Sequence, residues 1–203
     1  MEYKKLGVGI HQYDFPEELA KNIVEMCRQS DNLPWTKSGV GHEGVTEQSV
    51  RTSRNIQFNT VFPFWDEEVR KHTMPSIMHY AKEHEISITQ DEGFGLLNYG
   101  ITQKYDFHCD ASWDIYRTAS ILVYLNPTEY EGGGTHFKHF DVIVKPDKPC
   151  IVVFPANYAY LHAAMPVTAG EKYVLVSWMN DLPEGMHVDV MRKIAMIAGR
   201  HGV

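Results

Sequence analysis

The sequence lacks the features that mark membrane, secreted and duplex-binding proteins. None of its apolar runs approaches the ~20 residues of a membrane helix. The N-terminal stretch MEYKKLGVGIHQYDF has no apolar segment of the kind found in a signal peptide. A net charge of -7 argues against a large surface for duplex nucleic acid, which needs clustered Lys and Arg. We therefore expect neither a membrane nor duplex nucleic acid as a partner.

Cysteine is also scarce, with three residues and no CxxC pair: Cys27, Cys109 and Cys150. An odd number of widely spaced cysteines without a secretion signal is typical of reduced thiols in a cytoplasm. The missing CxxC pair disfavours a zinc site built on thiolates. Histidine, by contrast, occurs 11 times in the 203 residues. The question is which of these histidines bind a ligand.

Helical signals are concentrated in the first part of the chain. Residues 15–30, FPEELAKNIVEMCRQS, predict an amphipathic helix with a proline in its first turn. Residues 61–85 predict one or two helices interrupted near Pro75. A strand is possible at residues 55–59, between the two helical regions.

The second part of the chain has a β pattern. Short runs such as TASILVYL, CIVVFP and KYVLVSWM are separated by turn clusters such as NPTEYEGGG. This spacing predicts a mainly β sandwich or barrel core over about 94–182. We expect a single domain over 1–203, whose helical part, about 1–90, packs outside that core. The tail VDVMRKIAMIAGRHGV predicts a short final helix.

The stretch YDFHCD carries the first candidate ligands. Side chains alternate along a strand, so His108 and Asp110 would share one face while Cys109 points to the other. An imidazole and a carboxylate on one face bind a metal ion when a third ligand arrives from elsewhere. On this motif alone, a solvated strand end is the more frequent explanation.

The candidate third ligand is His162, which follows the apolar run CIVVFP. Two histidines and one carboxylate form the facial triad of non-haem Fe(II) oxygenases, which leaves three metal positions open. Lys172 lies ten residues further on, a distance suited to the neighbouring strand of a hairpin. A buried lysine needs an anion, such as the carboxylate of a co-substrate. The alternative is an exposed lysine on a strand surface.

The combined pattern Y-x8-H-x-D, H-x9-K and W, from Leu96 to about Met179, resembles the prolyl 4-hydroxylase-like family of Fe(II)- and 2-oxoglutarate-dependent dioxygenases. The stretches RTASILVYLN and EGGGTHF also resemble that family. The resemblance implies a double-stranded β-helix, or jelly roll, with N-terminal helices outside it. It implies that Fe(II) is bound by the triad of His108, Asp110 and His162.

The resemblance also implies roles for six further residues. Lys172 would pair with the distal carboxylate of 2-oxoglutarate, Tyr99 would hydrogen-bond the same carboxylate, and Thr135 would line the co-substrate pocket. The positions that would face a peptide substrate are Tyr105, Arg117 and Trp178. The implied cofactors and co-substrates are Fe(II), 2-oxoglutarate and O2, with ascorbate as reductant.

The implied activity is hydroxylation of an unactivated C–H bond, with a prolyl residue in a peptide or protein as the favoured acceptor. Two departures from the family matter: Gly134 stands where many members have an acidic residue, and the 110–117 loop, near the substrate mouth, is short. The acceptor could therefore also be a free amino acid, another small molecule or a nucleobase. A third alternative is a non-enzymatic, cupin-like module that binds a metal or ligand. Lys172 counts against this module, because a storage site needs no anchor for 2-oxoglutarate.

Overall fold

The computed structural model of the protein describes residues 1–30, 32–39, 47, 49–112 and 115–181. The final helix predicted for the tail lies outside these residues. Among the described residues, no helix combines the length and apolar character needed to cross a bilayer.

The described residues form fifteen strands, three α-helices and one 3-10 helix. The strands are β1 Lys4–Gly7, β2 Ile10–Asp14, β3 Thr36–Lys37, β4 Arg54–Gln57, β5 Gln90–Asp91, β6 Gly95–Tyr99, β7 Tyr105–His108, β8 Ala119–Tyr124, β9 Tyr130–Gly132, β10 Thr135–Phe137, β11 Val142–Val144, β12 Cys150–Pro155, β13 His162–Ala164, β14 Val167–Gly170 and β15 Lys172–Asn180. The helices are α1 Glu17–Gln29, α2 Phe58–Val61, α3 Pro63–Glu83 and the 3-10 helix Tyr158–Tyr160.

Two antiparallel sheets make up the core. In the described part of the chain the larger sheet has nine strands, in the order β1-β2-β12-β8-β15-β6-β4-β3, with β5 paired to β15. The smaller sheet has four strands, in the order β11-β10-β13-β7, and β14 and β9 form a separate pair. The prediction of a mainly β core is therefore confirmed.

The long helices cover one face of the larger sheet. Ile23 of α1 and Ile77 of α3 are fully buried, in the same hydrophobic cluster as Ile121 of β8 and Leu175 of β15. The burial of this apolar surface stabilises the helices against the sheet. It also confirms that the N-terminal helices pack outside the β core.

The N-terminal part differs from the prediction in one respect, because it is not purely helical. Strand β2 pairs with β12 and strand β4 pairs with β6, so residues before 60 extend the larger sheet on both sides. The backbone N–H and C=O groups of β12 and β6 need partners, and these early strands supply them. The possible strand at 55–59 exists, displaced by one or two residues.

The predicted interruption near Pro75 is wrong, because α3 continues through that proline. Proline removes one backbone hydrogen bond from a helix interior. The helix is nevertheless anchored on both sides of it, by Val69 before and by Ile77 and Tyr80 after, all at most 1% exposed. Tertiary packing here outweighs the local helix-breaking effect of proline.

Candidate active site

A cavity of about 270 Å³ lies between the two sheets, on the face of the larger sheet opposite the helices. Side chains of both sheets line it. All nine site residues predicted from the sequence are among them, namely Tyr99, Tyr105, His108, Asp110, Arg117, Thr135, His162, Lys172 and Trp178.

The smaller sheet supplies the three candidate metal ligands. His108 ends β7, His162 begins β13, and the two residues are direct partners in the antiparallel ladder. Asp110 follows two residues after His108. Its Oδ1 lies 3.6 Å from Nε2 of His108, and its Oδ2 lies 3.6 Å from Nε2 of His162. The three ligand atoms lie within 4.8 Å of one another, close enough to hold one metal ion.

Backbone carbonyls fix the orientation of both imidazoles. Nδ1 of His108 lies 2.8 Å from the carbonyl oxygen of Asp106, and Nδ1 of His162 lies 2.9 Å from that of Tyr160. A carbonyl oxygen only accepts, so each Nδ1 carries the proton and each Nε2 presents its lone pair to the cavity. This arrangement is typical of histidines that bind metals.

The burial and charge of the triad favour a bound cation. Burial and then the neighbouring His162 lower the pKa of His108 to about 3, so its imidazole is neutral. Burial alone would raise the pKa of Asp110, but the two histidines and a hydrogen bond from Ser120 hold it below its usual value. Two imidazole nitrogens and one carboxylate oxygen suit Fe(II) and leave coordination positions open. The thiol of Cys109 lies 3.9 Å from the carbonyl oxygen of Tyr158 and is not part of the ligand cluster of the described residues.

The larger sheet supplies the basic end of the cavity. Lys172 begins β15 and lies opposite Tyr99 of β6 in the ladder. The predicted hairpin between His162 and Lys172 is therefore wrong, because the two residues belong to different sheets. The chain passes through β14 before it reaches β15, and Lys172 approaches the cavity from the facing sheet. The two sheets together bring the ammonium and the triad to one space.

Lys172 is only 2% exposed, and burial lowers its pKa to about 7. Its Nζ donates to the carbonyl oxygen of Gly133 at 2.7 Å. No carboxylate of the described residues lies within ion-pair distance of it. A buried ammonium beside an open cavity fits an anionic ligand, since the anion would replace the lost hydration.

The glycine-rich turn before β10 explains how that carbonyl is placed. Gly132 and Gly133 adopt φ values of +67° and +62°, in the region that favours glycine. A Cβ on Gly132 would lie 2.4 Å from the carbonyl oxygen of Pro166. The turn thus needs glycine, and it directs the Gly133 carbonyl to Lys172 while Thr135 enters the cavity wall.

The segment that carries the candidate site is similar to a known protein family. Residues 94–180 match the family model described as the 2OG-Fe(II) oxygenase superfamily. The chain is therefore similar to this superfamily over the segment that carries the candidate site. The matched segment contains all nine predicted site residues.

Curated relatives of this chain include prolyl 4-hydroxylases. The chain is 32% identical over 130 residues to probable prolyl 4-hydroxylase 9 of Arabidopsis thaliana, covering 50% of this chain and 45% of the relative. It is 25% identical over 156 residues to a putative prolyl 4-hydroxylase of Acanthamoeba polyphaga mimivirus, covering 67% and 61%. The chain thus spans about half the length of these curated relatives.

Solved structures share the fold. The viral collagen prolyl hydroxylase of Paramecium bursaria Chlorella virus-1 superposes with a TM-score of 0.66 at 21% identity, covering 86% of this chain and 97% of that one. A prolyl hydroxylase of Trichoplax adhaerens, in complex with a hypoxia-inducible-factor peptide fragment, gives a TM-score of 0.72 at 15% identity, covering 92% and 86%. The predicted jelly-roll core is confirmed.

The three residues predicted to face a substrate stand beside the triad. The ring of Tyr105 stacks on His108, with centroids 3.6 Å apart. The guanidinium of Arg117 lies 3.6 Å above the ring of Trp178 and forms a two-pronged ion pair with Glu92, at 2.8 and 2.6 Å. Nη1 of Arg117 also donates to the carbonyl oxygen of Asp110 at 3.1 Å. Arg117 therefore supports the metal end of the cavity through its own contacts.

Sequence reasoning missed several residues of the candidate site. Ser120 hydrogen-bonds Asp110, Glu92 pairs with Arg117, and Arg51 lines the cavity 4.5 Å from the ring of Tyr105. Tyr124 hydrogen-bonds Thr135 and lies 5.0 Å from Nζ of Lys172. Of these residues, only Ser120 and Tyr124 could be recognised in the sequence, because they carry polar groups on the apolar strand ASILVY. Glu92 and Arg51 lie outside any recognisable motif.

Proposed function

We propose that this protein is an Fe(II)- and 2-oxoglutarate-dependent dioxygenase that hydroxylates a prolyl residue in a peptide or protein. One observation carries the proposal: the buried ammonium of Lys172 opens onto the same cavity as the His108, Asp110 and His162 triad. A metal-storage module has no use for such an anion site, whereas a dioxygenase needs both. The names of two curated relatives, both prolyl 4-hydroxylases, favour prolyl residues as acceptors.

In this proposal the triad holds Fe(II) through the two Nε2 atoms and the carboxylate. Lys172 binds the distal carboxylate of 2-oxoglutarate, and Tyr99 and Thr135 line that end of the pocket. When bound, Fe(II), 2-oxoglutarate and O2 supply the oxidising chemistry that inserts oxygen into a C–H bond and yields succinate and CO2. The protein orients the groups and excludes water from a cavity enclosed by two sheets.

The acceptor would enter beside Tyr105, Arg117 and Trp178, which border the metal end of the cavity. A peptide acceptor is supported by the Trichoplax adhaerens neighbour, which was solved with a peptide fragment. The guanidinium–indole stack offers a flat, apolar surface with a charged edge, and such a surface suits a pyrrolidine ring held in an extended peptide.

The test is turnover by the purified protein with Fe(II), 2-oxoglutarate and ascorbate, offered proline-containing peptides and, separately, free amino acids. We expect succinate and a +16 Da peptide product, both lost in His162→Ala and retained in His139→Ala, a change at an exposed histidine. Product among free amino acids alone would replace the peptide assignment. Absence of succinate and of any +16 Da product would overturn the proposed activity. Omission of ascorbate tests its role as reductant, and we expect turnover to decline with time.

We further infer that the chain is one domain and resides in a reducing, cytoplasmic compartment. The first inference is supported by β2 and β4, which extend the sheet that carries the site. The second is supported by the cysteines, all three of which are free thiols. A single cooperative unfolding transition would support one domain, and two transitions would reject it. Cell fractionation tests the compartment, and recovery in a secreted fraction would reject a cytoplasmic location.

A further inference from the structure

The two carboxylate oxygens of Asp110 have different partners. Oδ1 lies 3.6 Å from Nε2 of His108. Oδ2 lies 3.6 Å from Nε2 of His162 and also accepts a hydrogen bond of 2.6 Å from the hydroxyl of Ser120. Asp110 is 8% exposed and Ser120 1% exposed, so water does not compete for this bond. A short hydrogen bond from a hydroxyl to a carboxylate is among the stronger ones in proteins.

The position of Ser120 in the fold makes this bond a link between the two sheets. Ser120 is in β8, near the middle of the larger sheet, opposite Phe154 of β12 and Trp178 of β15. Asp110 follows β7 of the smaller sheet. A serine in a buried, otherwise apolar strand is costly unless its hydroxyl is paired. Among the described residues, the side-chain partner of that hydroxyl is the Asp110 carboxylate.

A second contact fixes the backbone of the same residue. Nη1 of Arg117 donates to the carbonyl oxygen of Asp110, and Arg117 is itself held by Glu92 and Trp178. With the main chain fixed there, the remaining freedom of Asp110 is rotation of its side chain. The Ser120 hydroxyl restricts that rotation, because turning the carboxylate would break the bond to Oδ2.

We propose that Ser120 is a positioning residue for the metal site. Its hydroxyl donates a hydrogen bond to Oδ2 of Asp110, which leaves Oδ1 as the oxygen that binds the metal ion. The inference rests on the proposed function only for the identity of the metal. Partners of metal ligands that do not themselves touch the metal typically contribute 10- to 100-fold to metal affinity. The predicted effect therefore appears in metal binding and does not require turnover.

The experiment compares Ser120→Ala with the isosteric pair Ser120→Thr and Ser120→Val, which differ only in the hydroxyl. Ser177→Ala is the matched control, because Ser177 is fully buried on adjacent β15 and its hydroxyl has no hydrogen-bond partner among the described residues. Anaerobic calorimetric titration with Fe(II) measures the metal Kd. A second titration with 2-oxoglutarate, at saturating metal, measures the co-substrate Kd.

We expect Ser120→Ala to raise the Fe(II) Kd by roughly 10- to 100-fold. The Thr variant should bind at least about 10-fold more tightly than the Val variant, while Ser177→Ala matches the parent protein. An unchanged Fe(II) Kd in Ser120→Ala, or equal Kd values for Thr and Val, would overturn the proposal. If the branched variants fail to fold, the comparison of Ser120→Ala with Ser177→Ala decides it. A parent protein that binds Fe(II) tightly without hydroxylating any acceptor would contradict the proposed function and leave this inference intact.

Discussion

The imidazoles of His108 and His162 face each other as direct partners in the antiparallel ladder between β7 and β13. Backbone hydrogen bonds thus set the spacing of two of the three metal ligands. Their ring centroids lie 4.3 Å apart, and each ring is held by a carbonyl two residues earlier in the chain. We infer that the site is preformed and that metal binding requires no rearrangement of the strands.

Removal of His162 should abolish tight metal binding. We expect His162→Ala to weaken Fe(II) binding by at least about 100-fold, the upper range of effects seen for partners that do not touch the metal. His139→Ala, at an exposed position of the turn after β10, should bind Fe(II) like the parent protein. Anaerobic titration and metal analysis of the dialysed proteins measure both. Stoichiometric Fe(II) in the His162 variant would place the metal elsewhere.

Replacement of Lys172 should have opposite effects on stability and on co-substrate binding. Lys172→Met removes a buried amine and leaves an apolar side chain one atom shorter, so we expect the free energy of unfolding of the ligand-free protein to increase. The same variant should lose most affinity for 2-oxoglutarate while retaining Fe(II). Urea unfolding and calorimetry measure the two quantities, and Lys145→Met, at an exposed lysine, is the control. A destabilised variant with unchanged 2-oxoglutarate affinity would contradict the assignment.

Affinity for 2-oxoglutarate should depend on pH above neutrality. Burial lowers the pKa of Lys172 to about 7, so above pH 7 the free protein carries a neutral amine. A bound dicarboxylate favours the ammonium, so binding takes up a proton and the Kd should rise up to about tenfold per pH unit above pH 7. Below pH 7 Lys172 is already charged in the free protein, so it causes no change of the 2-oxoglutarate Kd with pH.

Calorimetry on the Mn(II)-loaded protein between pH 6 and 9 measures this dependence without oxidation of iron. Buffers with different ionisation enthalpies report the proton uptake. Lys172→Met should retain weak binding without the slope. The same slope in that variant would assign the titration to another group.

His11 should make the protein sensitive to mild acid. Burial, and then the nearby His84, lower its pKa to about 4. In the unfolded chain His11 is protonated below about pH 6.5, whereas in the folded protein it stays neutral down to about pH 4. Stability is therefore lost as the pH falls from about 6.5 to 4. His11 contributes at most about 1.4 kcal/mol per pH unit to this slope. Urea unfolding at pH 7, 6, 5 and 4.5 should show a shallower decline for His11→Gln than for His139→Gln. An equally steep decline in both would reject the role of His11.

Much of the site could be predicted because its chemistry resides in local motifs. The HxD motif places His108 and Asp110 two residues apart, although β7 ends at His108 and Cys109 and Asp110 follow the strand. The glycine turn before Thr135 was recognisable because positive φ values favour glycine. Glu92 carries no such signal, since its partner Arg117 lies 25 residues away. The continuity of α3 through Pro75 was also missed, because it depends on burial against the sheet.

The sequence by itself determined the chemical groups: two histidines and an aspartate for a metal, a lysine for an anion, and a β-rich core to carry them. Only the tertiary structure decided how these groups meet. His162 and Lys172 are ten residues apart in the chain, yet they belong to facing sheets. The physical reason is that strand pairing is set by non-local hydrogen bonds and by burial of apolar faces. These fix which side chains face one cavity, and the spacing of residues along the chain does not.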